Sequence, residues 1–402
     1  MRRRSMMLGT GAMLMGGPGA PWAAIPGLSA ALPEGTRDEA VLAQLPGKKN
    51  LIKLTWRPPN YETPLEAFRT PITPNDRFFV RYHLAVIPEM DELRDWSLTV
   101  GGDAAQRSVR LTMNDLRSLP AAEVVAVCQC SGNRRGLFSP HVPGVEWGVG
   151  AMGNARWRGA RLRDVLARAG IKPGAVEVAM AGADGAVLPE TPHFAKSIPL
   201  DRALEADAII AYQMNGAPLP HLNGFPARIV IPGWTATYWM KHVTSLELRS
   251  KPLDNFWMQK AYRVPRGMFP VARPFATQDT EQTSPITEIV VNSLVTNLTD
   301  GARVPAAGFD VQGIAWDNGS GIKSVELSRD GGESWKPATL GQDLGRYAFR
   351  PWSMRVQGAA TGAVTVMVRA TSNAGAVQPA KLVFNPSGYH HNVIQTITLA
   401  AA

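Results

Sequence analysis

Cys130 stands in the run Val124-Val125-Ala126-Val127-Cys128-Gln129-Cys130-Ser131-Gly132-Asn133-Arg134-Arg135, where a β-branched strand gives way to a polar, glycine-containing turn. Two guanidinium groups follow the thiol closely. Fixed positive charge beside a thiol favours its ionised form. Such a sulfur can ligate a soft or high-valent metal, act as a nucleophile or sense redox state. The chain's other cysteine, Cys128, lies two residues upstream. On a strand the two side chains share a face and project in parallel, so a bridge between them needs a strained ring. Cys128 therefore reads as strand core. Zinc is disfavoured, since neither paired Cys-x₂-Cys nor matching histidines accompany the thiols. No Cys-x-x-Cys-His occurs, so no c-type haem is expected on this chain. His390-His391 has no third ligand in view, and no Rossmann or Walker pattern sits in a strand-turn-helix context.

Other groups suited to anions and polar cofactors recur along the chain. In order they are Phe79-Val80-Arg81-Tyr82-His83, Cys130-Ser131-Gly132-Asn133-Arg134-Arg135, Asn223-Gly224-Phe225-Pro226-Ala227-Arg228 and Lys241. Together these closely resemble the sulfite oxidase family of molybdenum enzymes, over about residues 45–395. Within that family the chain looks most like the bacterial sulfite dehydrogenases, which pass electrons to a cytochrome c. The resemblance implies a molybdenum-molybdopterin cofactor with Cys130 as the protein's molybdenum ligand. It implies that Arg81 and Arg135 hold sulfite, as guanidinium groups form charge-assisted bonds to oxyanions. Tyr262 would stand beside the reacting oxygen, and His83 would contact cofactor or substrate. The pterin contacts implied are Phe79, Val80, Arg81, Tyr82, His83, Asp184, Asn223, Arg228, Trp239, Met240 and Lys241. Asn223 departs from the histidine that many eukaryotic members carry, although an amide still donates and accepts.

The activity implied is oxidation of sulfite to sulfate by oxygen-atom transfer. An external c-type cytochrome, or a haem subunit, would take the electrons. Two rivals remain: a molybdenum reductase of the same fold acting on a sulfoxide or nitrate, and a non-catalytic exported interaction protein. Molybdenum content separates the last from both enzymes.

The elements that must position these groups follow from periodicity. Arg2-Arg3-Arg4 and the apolar stretch after it read as an export leader over residues 1–30, with the arginines fitting a twin-arginine signal to the periplasm. That stretch is too short and too broken by Gly and Pro to span a membrane. Residues 31–74, rich in proline, read as an extended arm. Residues 75–270 mix short strands with helices such as the one spaced by Leu162, Val165, Leu166 and Ala169, without regular β-α-β alternation. This is the pattern of an α+β domain, and the resemblance makes it a molybdopterin-binding domain of the sulfite oxidase type. A linker is expected over 271–284. From 285 to 398 short alternating runs are separated by Asp317-Asn318-Gly319 and Asp330-Gly331-Gly332, the texture of an all-β immunoglobulin-like sandwich. By resemblance it mediates dimerisation, as a homodimer or with a haem subunit. At 402 residues there is room for two or three domains. The formal charge of +9, three of it in the leader, suits an anionic substrate or acidic partner. Without a dense Lys/Arg tract interleaved with aromatics, nucleic acid is not expected as a partner.

Overall fold

The β-branched run before Cys130 becomes a nine-residue strand, Ala121–Gln129, in a computed structural model that describes residues 45–402 apart from 46, 92, 93, 359 and 360. The expected leader, and the arm before residue 45, lie outside the described residues. Ala121–Gln129 pairs antiparallel along its whole length with Met152–Arg161, which pairs on its other side with Ile209–Met214. Arg228–Val230 and Ala217–Pro218 pair with the far edge of that strand.

A second five-stranded sheet runs Val109–Thr112, Ser97–Gly101, Val243–Arg249, Glu177–Gly182, Ala195–Pro199. Its register matters for function. Val243 opposes Gly182 and Ala181 opposes Ala195, so Lys241, Asp184 and Phe194 emerge together at one end. The helix Leu162–Ala169 forms where its spacing predicts. All four apolar positions are buried, and Gly170 closes it at φ 70°, a conformation that glycine adopts without steric cost.

The arm is more than an overlay. Ile52–Thr55 and Asn60–Glu62 join Val80–Arg81 in a small sheet, and Leu51 and Tyr61 pack with Val80, Tyr82 and Leu222. Within the run Phe78–His83 only Val80–Arg81 is strand, because Phe78 turns into the main core, edge-on to Trp157. Nor is 271–284 a free connector. Thr283–Pro285 pairs with Arg263–Pro265, while Thr277 and Gln278 hydrogen-bond the buried Glu177 carboxylate.

The second domain is a β-sandwich of two sheets, ordered Asn292–Val295, Gly308–Trp316, Arg350–Gln357, Thr339–Leu340 and Arg303–Val304, Gln395–Ala401, Gly362–Ser372, Ile322–Ser328, Lys336–Pro337. Alternate residues, among them Val311, Val325, Val366, Val368 and Ile397, fill the space between them. The first of these strands begins at Asn292, and Ile289 just before it enters a core shared between domains with Phe68, Val127, Met152 and Trp316. Trp316 Nε1 also donates to Gln129 Oε1 at 2.6 Å, tying the sandwich to the strand that carries the cysteines. Among the described residues no helix is long and apolar enough to cross a membrane.

The junction buries several neutral histidines. Burial holds His242, His390 and His391 down to about 3, and His83 well below its ordinary value. The unfolded chain therefore binds protons below about pH 6.5 that the native state refuses, so stability falls as pH drops through that range. Glu62, pushed up to about 8 by burial, and Asp184, also raised, oppose this. With the four imidazoles outnumbering the two carboxyls, unfolding takes up protons on balance, and stability is expected to fall as the pH drops from 6 to 5. Urea unfolding midpoints at the two pH values measure the slope, and equal midpoints would contradict it.

Candidate active site

The turn after Gln129 holds Cys130 by its backbone and leaves its sulfur free. Cys130 N–H donates to Ala151 O at 2.9 Å, and its carbonyl accepts from Asn133 N–H at 3.0 Å. Asn133 Oδ1 accepts from Ala151 N–H, closing the loop. The Cys130 side chain lines a half-open cleft. The two arginines expected beside it diverge. Arg134, at φ 68°, sends its guanidinium to Asn292 Oδ1 and Ser293 O, both at 2.8 Å, and so pins the sandwich to the catalytic domain. Arg135 packs against Gly132 and donates from Nε to Ser387 O at 3.0 Å.

One wall of the cleft is cationic. Arg228 donates to Asn223 O at 3.0 Å and to Trp239 O at 3.2 Å, and its Nη2 lies 3.7 Å from Cys128 Sγ. Trp157 and Trp239 face the guanidinium at 5.1 and 5.7 Å, a desolvated cation–π setting. Lys241 lies over the Tyr82 ring and donates to Arg81 O at 2.6 Å. Burial pulls Lys241 and Arg228 down and pushes Asp184 up, with Lys241 and Asp184 each opposing the other's shift. Behind Asn223 stands Lys48, whose ammonium donates to Asn223 Oδ1 and Asn75 O, while Asn223 Nδ2 donates to Phe79 O. Burial, reinforced by Arg228, lowers Lys48 to about 7.

The opposite end gathers around one phenol. His83 Nε2 hydrogen-bonds the Tyr262 hydroxyl, and Arg81 Nη2 reaches it at 3.5 Å. Arg81 is steadied by Asn60 Oδ1 at 3.2 Å and by Tyr82 O. His83 stacks on Phe194 with ring centroids 3.8 Å apart, and Trp257 stands edge-on to it. Tyr262 has φ 58°, a left-handed backbone uncommon for an aromatic residue and often found at functional sites. Burial raises its hydroxyl, against the pull of Arg81 and Arg135, so the phenol stays protonated and can donate.

The cleft thus brings together Phe79, Arg81, Tyr82, His83, Cys130, Asp184, Asn223, Arg228, Trp239, Met240, Lys241 and Tyr262. Two expected residues are elsewhere. Val80 points away, into the small core with Tyr61 and Leu222, because alternation on its short strand sends it opposite to Arg81. Arg135 lies a layer behind the lining, its guanidinium carbon 5.3 Å from the Tyr389 ring centroid. Residues not expected include Cys128, Phe194, Thr237 and Lys48. Only Cys128 carried a signal, the shared strand face with Cys130. Its thiol, pushed up to about 11 by burial, contacts Arg228 while lining the cleft.

Comparison with known proteins matches residues 83–257 to the oxidoreductase molybdopterin binding domain and residues 283–401 to the Mo-co oxidoreductase dimerisation domain. Sulfite oxidase of Arabidopsis thaliana is 34% identical over 326 residues, covering 78% of this chain and 81% of that protein. The chain belongs to the sulfite oxidase family of molybdenum oxidoreductases. Mitochondrial sulfite oxidase of Mus musculus is 35% identical over 336 residues, and the match covers 80% of this chain but 60% of that relative's length. The chain therefore spans about three-fifths of the mammalian relatives it matches. Among solved structures, the sulfane dehydrogenase SoxCD from Paracoccus pantotrophus superposes with a TM-score of 0.73 at 25% identity, covering 89% of this chain and 92% of that one.

The family's cofactor can be tested against the residues present. Buried and without a protein partner are Arg228 Nε, Ser131 Oγ and Thr237 Oγ1, all on residues lining the cleft. Donors in excess of acceptors, beside buried cations, suit the phosphate and hydrogen-bonding edges of a pterin. Among the described residues no three His, Cys, Asp or Glu side chains gather as a metal ligand set, so a metal at Cys130 takes its other ligands from a cofactor. Molybdopterin fits on both counts. In this sulfite oxidase family chain Lys48 holds Asn223 from behind at the wall of the cleft. Lys48→Met is accordingly expected to purify with less molybdenum per chain than wild type. Loss of a group supporting a ligand shell costs about 10- to 100-fold in affinity. Mass spectrometry of the metal checks it, and unchanged content would remove Lys48 from the cofactor's support.

Proposed function

We propose that the protein oxidises sulfite to sulfate, with Cys130 holding molybdenum, and passes the electrons to an external c-type cytochrome. The observation that carries this reading is the convergence of Arg81 and His83 on the Tyr262 hydroxyl in the same cleft that Cys130 lines. Bound there, the molybdenum cofactor supplies the two-electron oxidation and the oxygen-atom transfer. The chain supplies charge, orientation and exclusion of water.

Arg228 and Lys241 neutralise the cofactor's phosphate, and Asp184, Asn223 and the backbone at Phe79 and Trp239 meet its polar edges. Arg81 binds sulfite through a guanidinium already fixed by Asn60, so little freedom is lost when the anion arrives. Neutral His83 leaves the positive charge on Arg81 and holds the Tyr262 hydroxyl in place as a donor. Phe194 and Trp257 wall off solvent, which strengthens each polar contact within.

In this reading Arg2-Arg3-Arg4 and the stretch after it direct the folded protein to the periplasm. The sandwich, of immunoglobulin-like type, carries association as a homodimer or with a haem subunit. The test is sulfite-dependent reduction of ferricyanide by purified, molybdenum-loaded protein. Turnover supports the reading. Bound molybdenum without turnover would redirect it to a reductase, or to another reduced sulfur substrate such as thiosulfate.

A further inference from the structure

We infer that Tyr389 is a positioning residue for the anion pocket, through which the sandwich domain sets the substrate affinity of the catalytic domain. The inference rests on the sulfite reading and extends it by one layer of side chains. Tyr389 sits between strands Gly362–Ser372 and Gln395–Ala401, on a segment that leaves the sandwich to lie against the catalytic domain. Its ring stacks on Tyr262, with centroids 5.7 Å apart and planes 11° from parallel. The Arg135 guanidinium approaches the same ring at 5.3 Å. Among the described residues Tyr389 is therefore the one ring shared by the phenol of the pocket and by the arginine behind it.

The turn that presents Tyr389 is tightly specified. Asn385 Oδ1 accepts from the Tyr389 N–H at 3.0 Å, and Asn385 Nδ2 donates to the Tyr389 carbonyl at 2.9 Å. One side chain thus clamps both backbone groups of a single residue. Gly388 has φ 61°, and a Cβ there would stand 2.5 Å from Val142 Cγ2 and 2.7 Å from Arg135 Cγ. Only glycine fits that approach. Ser387 O completes the unit by accepting from Arg135 Nε.

Tyr262 needs such support. Its backbone is left-handed, and its hydroxyl must stay within reach of Arg81 and His83. With the Tyr389 ring gone, one face of Tyr262 loses its packing and Arg135 loses its aromatic partner. The phenol can then swing away from Arg81. Stacking and cation–π contacts of this kind, lost together, correspond to roughly a tenfold change in affinity.

The experiment uses molybdenum-loaded holoenzyme of the wild type and of Tyr389→Ala, Tyr389→Leu and Tyr389→Phe. Metal content, sulfite kinetics with ferricyanide and sulfate affinity are measured on each. Tyr389→Phe should stay near wild type, because the stack survives. Tyr389→Ala and Tyr389→Leu should raise KM for sulfite about tenfold and weaken sulfate binding in parallel, with kcat and molybdenum content little changed. Should Tyr389→Ala fail to fold, the leucine variant, which keeps an apolar filling but not the aromatic face, decides the matter alone. Unchanged KM in the leucine variant overturns the inference and leaves the sulfite reading standing. A phenylalanine variant as impaired as the leucine one also overturns it, since the hydroxyl and not the ring would then matter. If wild-type holoenzyme turns over no sulfite, that reading fails separately. Sulfate affinity still judges Tyr389, and equal affinity in wild type and Tyr389→Leu overturns the inference.

Discussion

A Cys130→Ala protein is expected to purify folded and to oxidise sulfite more slowly than the wild type by more than about 10³-fold, beyond the 10- to 100-fold that loss of a second-layer group costs at a metal site. The fold should survive because the backbone of Cys130, not its side chain, closes the turn. Its N–H is satisfied by Ala151 and its carbonyl by Asn133, and Asn133 is fixed independently by Ala151. The sulfur has no such structural duty. Cys128→Ala provides the contrast. That thiol lies in the same cleft and the same strand, but it contacts Arg228, which keeps its bonds to Asn223 and Trp239 when the sulfur is removed. Activity should fall far less there. Ferricyanide reduction and circular dichroism on the two variants separate the roles, and wild-type rates in Cys130→Ala would sink the proposed metal ligand.

What the chain discloses before folding depends on how local each feature is. The Cys130 turn is contiguous, so its chemistry is readable from neighbouring letters, as are the helix at Leu162–Ala169 and the alternating runs that build the sandwich. The destination of Arg134 is not readable. Its nearness to Cys130 along the chain suggested a thiolate partner, yet its guanidinium crosses to Asn292 in the other domain, where burial lowers it to about 10. Lys48 lies in a polar arm without periodicity, and it becomes buried through contacts with Asn75 and Asn223 far along the chain. Val80 sits on a strand of two residues, too short for alternation to reveal which side chain faces the cleft. Tyr389 belongs to a different domain from the pocket it supports, and its partners Asn385 and Gly388 look like ordinary turn residues until Arg135 is seen against them. Motif resemblance singled out residues that the fold brings to one cleft. Tertiary contact alone divides the two arginines expected to hold sulfite into one that faces the cleft and one that stands behind it.

That division leads to the second large effect. Arg81→Gln is expected to raise KM for sulfite about 10²-fold and to change kcat much less, while Arg135→Gln shifts KM by roughly tenfold or less. A charge-assisted hydrogen bond contributes about 1.5–3 kcal/mol, and about 1.4 kcal/mol is a tenfold change in binding. Among the described residues the neighbouring cations are engaged elsewhere, Lys196 Nζ donating to Trp257 O at 2.7 Å. Burial, with Arg81, Lys241 and Lys196 around it, holds His83 neutral, and Lys241 is turned toward Tyr82 and the Arg81 carbonyl. The strand pairing of Asn60 with Arg81 runs through the backbone, so it should persist in the glutamine variant. Arg81→Lys tests geometry against charge. It restores the cation but not the planar fork, so an intermediate KM is expected if sulfite is gripped through two donors, and a wild-type KM if charge alone suffices. A fall in kcat equal to the fall in kcat/KM, with KM unchanged, would instead mean that Arg81 acts only in the transition state and that the anion is bound elsewhere.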